Sequence, residues 1–198
     1  MTLQFWFEFA STYSYPAVMR IERRARAQGV PLSWNAFLLG PIFRAQGWSD
    51  SPFNLYAAKG RYMWRDLERI CETEGLAFRR PSQFPRNGLL AARVTCRFSL
   101  EPWIPDFVRA VYHANFAEDR DIADPTVIAA CLHSVRQDAD AVLHAAGLED
   151  AKAMLRAQTE RATGLGIFGA PSFIADPELF WGNDRLEQAL SWCQSRDG

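Results

Sequence analysis

No two of the four cysteines, Cys71, Cys96, Cys131 and Cys193, lie close enough in sequence to form a C-x-x-C pair or half of a zinc site. A paired-cysteine redox centre and a structural zinc are therefore not expected, and no metal site is. Each cysteine falls among apolar residues of a predicted helix and reads as a small buried hydrophobe. Charge of one sign is also missing: 22 basic residues face 23 acidic ones, for a net charge of -1. No global field draws this chain to nucleic acid or to an anionic membrane. No apolar run reaches membrane-spanning length. The N-terminus has neither a basic leader nor a signal-like core, so a reducing cytoplasm is the expected compartment. There are no internal repeats and no low-complexity segments. What is present is apolar mass. Of 198 residues, 48% are hydrophobic and 13% aromatic, which suits one domain, or one domain with a large insertion.

Residues 3–9, Leu-Gln-Phe-Trp-Phe-Glu-Phe, are short and aromatic-rich, as a central strand should be. A helix over about 14–28 follows. Its start is fixed near Ser14 because Pro16 is tolerated only in a first turn. Gly29-Val30-Pro31 ends it, and residues 32–38 read as a second strand. From residue 40 to about 164 the pattern is mostly helical. Met63, Leu67, Ile70 and Cys71 keep amphipathic spacing. Segments 88–99, 103–117, 126–146 and 149–163 lack strand patterning, and Gly164 closes the last. Asp124-Pro125 supplies an N-cap followed by a first-turn proline. Strand signals return at 172–175 and 178–181, a hairpin around Asp176-Pro177, before a helix at about 184–195. The order is β-α-β, a helical block, then β-β-α. It reads as an α/β, thioredoxin-like domain of residues 1–39 and 165–198, split by an all-helical insertion of residues 40–164. A four-helix domain with stray strands is disfavoured by the strand signals at both ends.

Ser11-Thr12-Tyr13-Ser14 stands where a strand runs into a helix, with serine at the two positions, three apart, that are reactive in a thioredoxin-type turn. A helix N-terminus with hydroxyl donors can hold an anion made elsewhere. The plainer reading makes Ser11 and Ser14 N-caps. No G-x-S-x-G elbow supports a serine triad, and His113, His133 and His144 all fall in the helical block. Pro171, between Ala170 and Ser172, is a candidate cis-proline. Asn54 and Lys59 form a further candidate set, in which the lysine amine suits a carboxylate. In Trp181-Gly182-Asn183-Asp184 the glycine permits close backbone approach. Asp184 is either a helix cap or a partner for a ligand amine. Arg20, Arg23, Arg24 and Arg26 read as a solvated helix face.

Taken together, these segments resemble the 2-hydroxychromene-2-carboxylate isomerase family, kin to kappa-class glutathione transferases and DsbA-like thioredoxin folds. The likeness runs through residues 7–15, Leu38-Leu39-Gly40-Pro41-Ile42-Phe43, Asn54, the Lys59-to-Arg69 run and Phe84-Pro85-x-Asn87. It ends in Phe168-Gly169-Ala170-Pro171-Ser172-Phe173 and Phe180-to-Leu186. The resemblance implies glutathione as cofactor, with its sulfur at Ser11 and its cysteinyl backbone on Ala170 beside Pro171. It places the γ-glutamyl end on Asn183 and Asp184, after Trp181 and Gly182. Asn54 and Lys59 would line the pocket, and Phe43 and Asn87 would face substrate. It further implies a homodimer acting on a small aromatic-derived carboxylate. Two departures from the family pattern are Glu8 for aspartate and Thr12 for proline, which loosens the loop. The expected activity is a glutathione-dependent isomerase. The alternatives are a kappa-like glutathione transferase or peroxidase and a non-catalytic glutathione-binding module.

Overall fold

The computed structural model describes residues 1–196. Its sheet has four strands: β1 (Leu3–Phe7), β2 (Leu32–Ala36), β3 (Ser172–Ala175) and β4 (Glu178–Trp181). Their order is β2-β1-β3-β4. β1 runs parallel to β2, with Leu3 beside Leu32, and antiparallel to β3, with Phe5 beside Phe173. β3 and β4 form the expected hairpin, in which Ala175 pairs with Glu178. The helix α1 (Ser14–Ala27) makes the β1-to-β2 crossover. Between β2 and β3 come α2 (Leu39–Ala45), α3 (Pro52–Leu55), α4 (Ala57–Glu74), α5 (Leu89–Arg97), α6 (Ile104–Phe116), α7 (Pro125–Ser134), α8 (Ala139–Gly147) and α9 (Glu149–Gly164). A 3-10 turn at Asn183–Arg185 leads into α10 (Leu186–Arg196). This is the thioredoxin-like α/β arrangement read from the sequence.

The composition of β1 follows from its place. A central strand covered on both faces has no polar alternation to show. Leu3, Phe5 and Phe7 enter the larger core with Tyr112, Phe116 and Phe173. Trp6 enters a smaller core with Phe37, Ile42, Ile167 and Ile174. Phe5 stacks on Phe173 at 5.4 Å, and Phe9 on Tyr112 at 5.3 Å. Such offset ring pairs add about 0.5–1.5 kcal/mol each beyond simple burial.

The strand stops at Phe7, two residues earlier than its apolar pattern suggests, because the next carbonyls are used elsewhere. The Glu8 carbonyl accepts from the Tyr112 hydroxyl at 2.6 Å and from the Ser11 amide at 2.9 Å. The Phe9 carbonyl accepts from the Asn115 side-chain amide at 3.2 Å. The stretch read as one helix over 126–146 is two helices. Arg136 takes a left-handed φ of 60°, and Asp138 starts the second helix by accepting from the Ala141 amide at 3.1 Å. Asp124 caps the first as expected, through the Thr126 amide at 2.8 Å. The helix at 149–164 is followed by Gly166, which takes the left-handed conformation with φ of 75°.

All four cysteines are buried, and among the described residues none forms a disulfide. Burial pushes the thiols of Cys71 and Cys96 up to about 12 and that of Cys131 up to about 11. None of these three carries a reactive thiolate at neutral pH.

Candidate active site

The site forms where three loops meet at the C-terminal end of β1. Ser11 begins the turn into α1. Its hydroxyl oxygen accepts from the Ser14 amide at 3.3 Å, but Tyr13 holds the N-cap position of α1 and no side chain caps it, so neither Ser11 nor Ser14 is the N-cap that the plainer reading made it. The same Ser11 hydroxyl donates to the Ala170 carbonyl at 2.9 Å. The Ala170–Pro171 bond is cis. The Pro171 carbonyl accepts from the Gly182 amide at 2.9 Å. A single bonded path thus runs from Ser11 through Ala170 and Pro171 to Gly182. It brings together residues from the two ends of the chain that the sequence marks separately.

Two glycines make this closeness possible. Gly182 has φ of 113°, a conformation that side chains disfavour, and a Cβ there would lie 2.6 Å from the Asp184 carboxylate. A Cβ on Gly169 would meet the Trp181 ring nitrogen at 2.4 Å. The Trp181 ring therefore lies against the backbone just before Ala170. It is half exposed and meets Phe168 edge-on at 4.9 Å.

Asp184 is not the helix cap that one reading made it. Gly182 holds the N-cap position, and no side chain caps the turn. The Asp184 carboxylate is exposed, with Arg185 at 3.2 Å as a surface partner. Asn183, by contrast, is buried. Its backbone and side-chain carbonyls accept from Arg20 at 2.8 and 2.9 Å.

The helical block borders the turn through α3 and α4. The Thr12 hydroxyl donates to the Met63 sulfur at 3.1 Å, and Tyr13 donates to Asp66 at 3.0 Å while its ring faces Phe53 at 6.1 Å. Thr12 is buried. It therefore anchors the turn, where the loss of proline alone would loosen it. Lys59 lies one helical turn before Met63, with its ammonium 4.9 Å from the Tyr56 ring centre. Asn54 neighbours Phe53 and donates to Asp50 at 3.0 Å and to the Phe84 carbonyl at 3.3 Å. The contacts of the two substrate candidates are local. Phe43 rests on Trp48 at 5.4 Å, and Asn87 accepts from the Leu89 amide at 2.9 Å at the start of α5.

Two residues to which sequence reasoning assigned no role belong here. Glu8 is half-buried at the end of β1. Its carboxylate accepts from the Ala10 amide at 3.0 Å, inside the turn that carries Ser11. Desolvation by burial lifts its pKa to about 7, against the lowering pull of the Ala10 and Ser11 amides. Arg20 is the second. Arg24 and Arg26 do lie towards solvent, facing Glu187 and Glu22. Arg20 departs from the expected solvated face. Its side chain is only 12% exposed and pairs with Glu74 at 2.8 Å. Among the described residues no group of three or more His, Cys, Asp or Glu side chains can hold a metal ion, and no helix is long and apolar enough to cross a membrane.

The sheet order, the cis-proline loop against a helix N-terminus and the long helical insert define a class. The DSBA-like thioredoxin domain matches residues 2–192, and the chain belongs to that family. Within it the chain is similar to 2-hydroxychromene-2-carboxylate isomerase of Sphingobium xenophagum, 27% identical over 186 residues and 94% of each chain. It is also similar to glutathione s-transferase kappa 2 of Caenorhabditis elegans, 26% identical over 208 residues, covering 96% of this chain and 90% of that protein. A solved structure of a 2-hydroxychromene-2-carboxylate isomerase matches at a TM-score of 0.86 and 26% sequence identity, covering 99% of this chain and 95% of that one.

Proposed function

We propose that this chain is a glutathione-dependent isomerase of a small conjugated carboxylic acid, such as 2-hydroxychromene-2-carboxylate. The observation that carries the reading is the hydrogen bond from Ser11 to Ala170, which sets a hydroxyl at a helix N-terminus against the carbonyl before a cis-proline. The likeness to isomerases over nearly the whole chain supplies the reaction class.

The residues present fit glutathione. A serine hydroxyl has one proton to give. In this structure Ser11 gives it to Ala170. A ligand backbone N–H that took over the Ala170 carbonyl would release the Ser11 hydroxyl to donate to a sulfur anion. The α1 dipole favours negative charge at the same spot. The Asp184 carboxylate suits the γ-glutamyl ammonium, and the Lys59 ammonium suits a carboxylate. When bound, glutathione supplies a thiolate that adds reversibly to a conjugated double bond, which lets that bond rotate before the thiolate leaves. The part of the chain is to keep the sulfur charged and to orient the acceptor.

Thiolate absorbance in the ultraviolet tests this reading. Bound glutathione is expected to titrate below the free-thiol range of about 8.5. A midpoint equal to that of free glutathione would contradict thiolate stabilisation at Ser11.

A second reading, a kappa-like glutathione transferase, draws on the matching likeness to the kappa-class protein. It shares the site and differs in consuming glutathione.

A further inference from the structure

Arg20 ties three elements together. It lies on α1, its Nη1 donates to Glu74 at the end of α4 at 2.8 Å, and its Nη2 donates to both carbonyl oxygens of Asn183 in the turn after β4. The pairing with Glu74 balances its charge. What remains is a pair of donated bonds closed on one asparagine.

That contact has a chemical consequence. An asparagine amide has an acceptor end and a donor end, and a neighbour that donates to the oxygen leaves the two N–H groups for other partners. The reverse orientation would set N–H against N–H at Arg20. Buried Asn183 therefore has its two side-chain N–H groups turned away from Arg20, and Asp184 beside it carries an exposed carboxylate. Adjacent donor and carboxylate groups complement a ligand whose carboxylate and ammonium sit on one carbon.

We propose that Arg20 is a positioning residue, which by occupying both carbonyls of Asn183 fixes the 183–184 turn to receive an α-amino-acid head group. The proposal rests on the glutathione reading, in which that head group is the γ-glutamyl end.

Calorimetry on the full chain with two ligands tests it. Glutathione carries the head group. Cysteinylglycine keeps the thiol and the glycyl carboxylate but lacks it. In the double variant Arg20→Met/Glu74→Gln, which leaves no unpaired carboxylate, glutathione affinity is expected to fall about tenfold, the effect of one or two lost hydrogen bonds. Cysteinylglycine affinity is expected to equal that of the parent. Adding Asn183→Ala to that background is expected to cost nothing more, because the two changes act on one unit. Arg20→Lys keeps the cation but not the paired contact, and is expected to lose about fivefold for glutathione alone. Equal losses for both ligands, or none for either, in both variants would overturn the role of Arg20. A parent protein that does not bind glutathione would instead overturn the reading beneath it, a result visible before any variant is made.

Discussion

Replacing Glu8 with glutamine is expected to stabilise the protein by about 3 kcal/mol at pH 8, with the gain shrinking steadily towards pH 4.5. Burial raises the folded-state pKa of Glu8 from 4.5 to about 7. The folded chain therefore holds the Glu8 proton across that window while the unfolded chain releases it. Stability from the neutral carboxyl is complete below 4.5 and is lost as pH rises to about 7. A tenfold change in a proton-binding constant corresponds to about 1.4 kcal/mol, which over this window gives a figure on the order of 3 kcal/mol. Glutamine stays neutral throughout and still offers an oxygen to the Ala10 amide. For a chain of this size the gain corresponds to a rise of about 6–12 °C in melting temperature at pH 8. Thermal unfolding of both proteins across the window checks it. A constant difference at all pH values would mean that Glu8 does not titrate between the two states.

Asp184→Ala is expected to weaken glutathione binding between about tenfold and 150-fold, the range for one charge-assisted contact of about 1.5–3 kcal/mol. Ser11→Ala should weaken it less, because its hydrogen bond acts on the sulfur and should show mainly in the catalytic rate. The fold gives Asp184 little else to do. It makes no cap bond, and its Arg185 partner is a half-exposed surface cation whose pairing contributes little. Melting temperature should therefore stay within about a degree or two while affinity falls. Calorimetry on the two variants decides the order. Unchanged affinity in Asp184→Ala would remove it from the ligand site.

The parts of this fold that were legible in the sequence are those set by local chemistry. The hairpin around Asp176-Pro177 and the Asp124-Pro125 cap needed no distant partner. Ser11 could be marked as a candidate because a serine at a strand-to-helix turn has a local meaning. Its second bond, to Ala170, joins residues 159 apart and becomes visible only in the folded chain. Arg20 looked like one of four solvated arginines for the same reason. Its partners Glu74 and Asn183 are 54 and 163 residues away. Glu8 read as a longer aspartate. Its raised pKa comes from burial, which only the folded chain imposes, as does the bond its backbone carbonyl accepts from Tyr112, 104 residues distant. The break at Arg136 was not legible because nothing in its side chain favours a left-handed conformation.

The most direct measurement is turnover of a conjugated acid with glutathione kept sub-stoichiometric. Enzyme and 2-hydroxychromene-2-carboxylate are incubated with less glutathione than substrate, and isomer conversion and free thiol are followed together. An isomerase that returns its thiolate gives many turnovers per glutathione with free thiol constant. Thiol lost one-for-one with substrate would contradict that account and assign the site to a transferase, and no conversion at any glutathione concentration would contradict both.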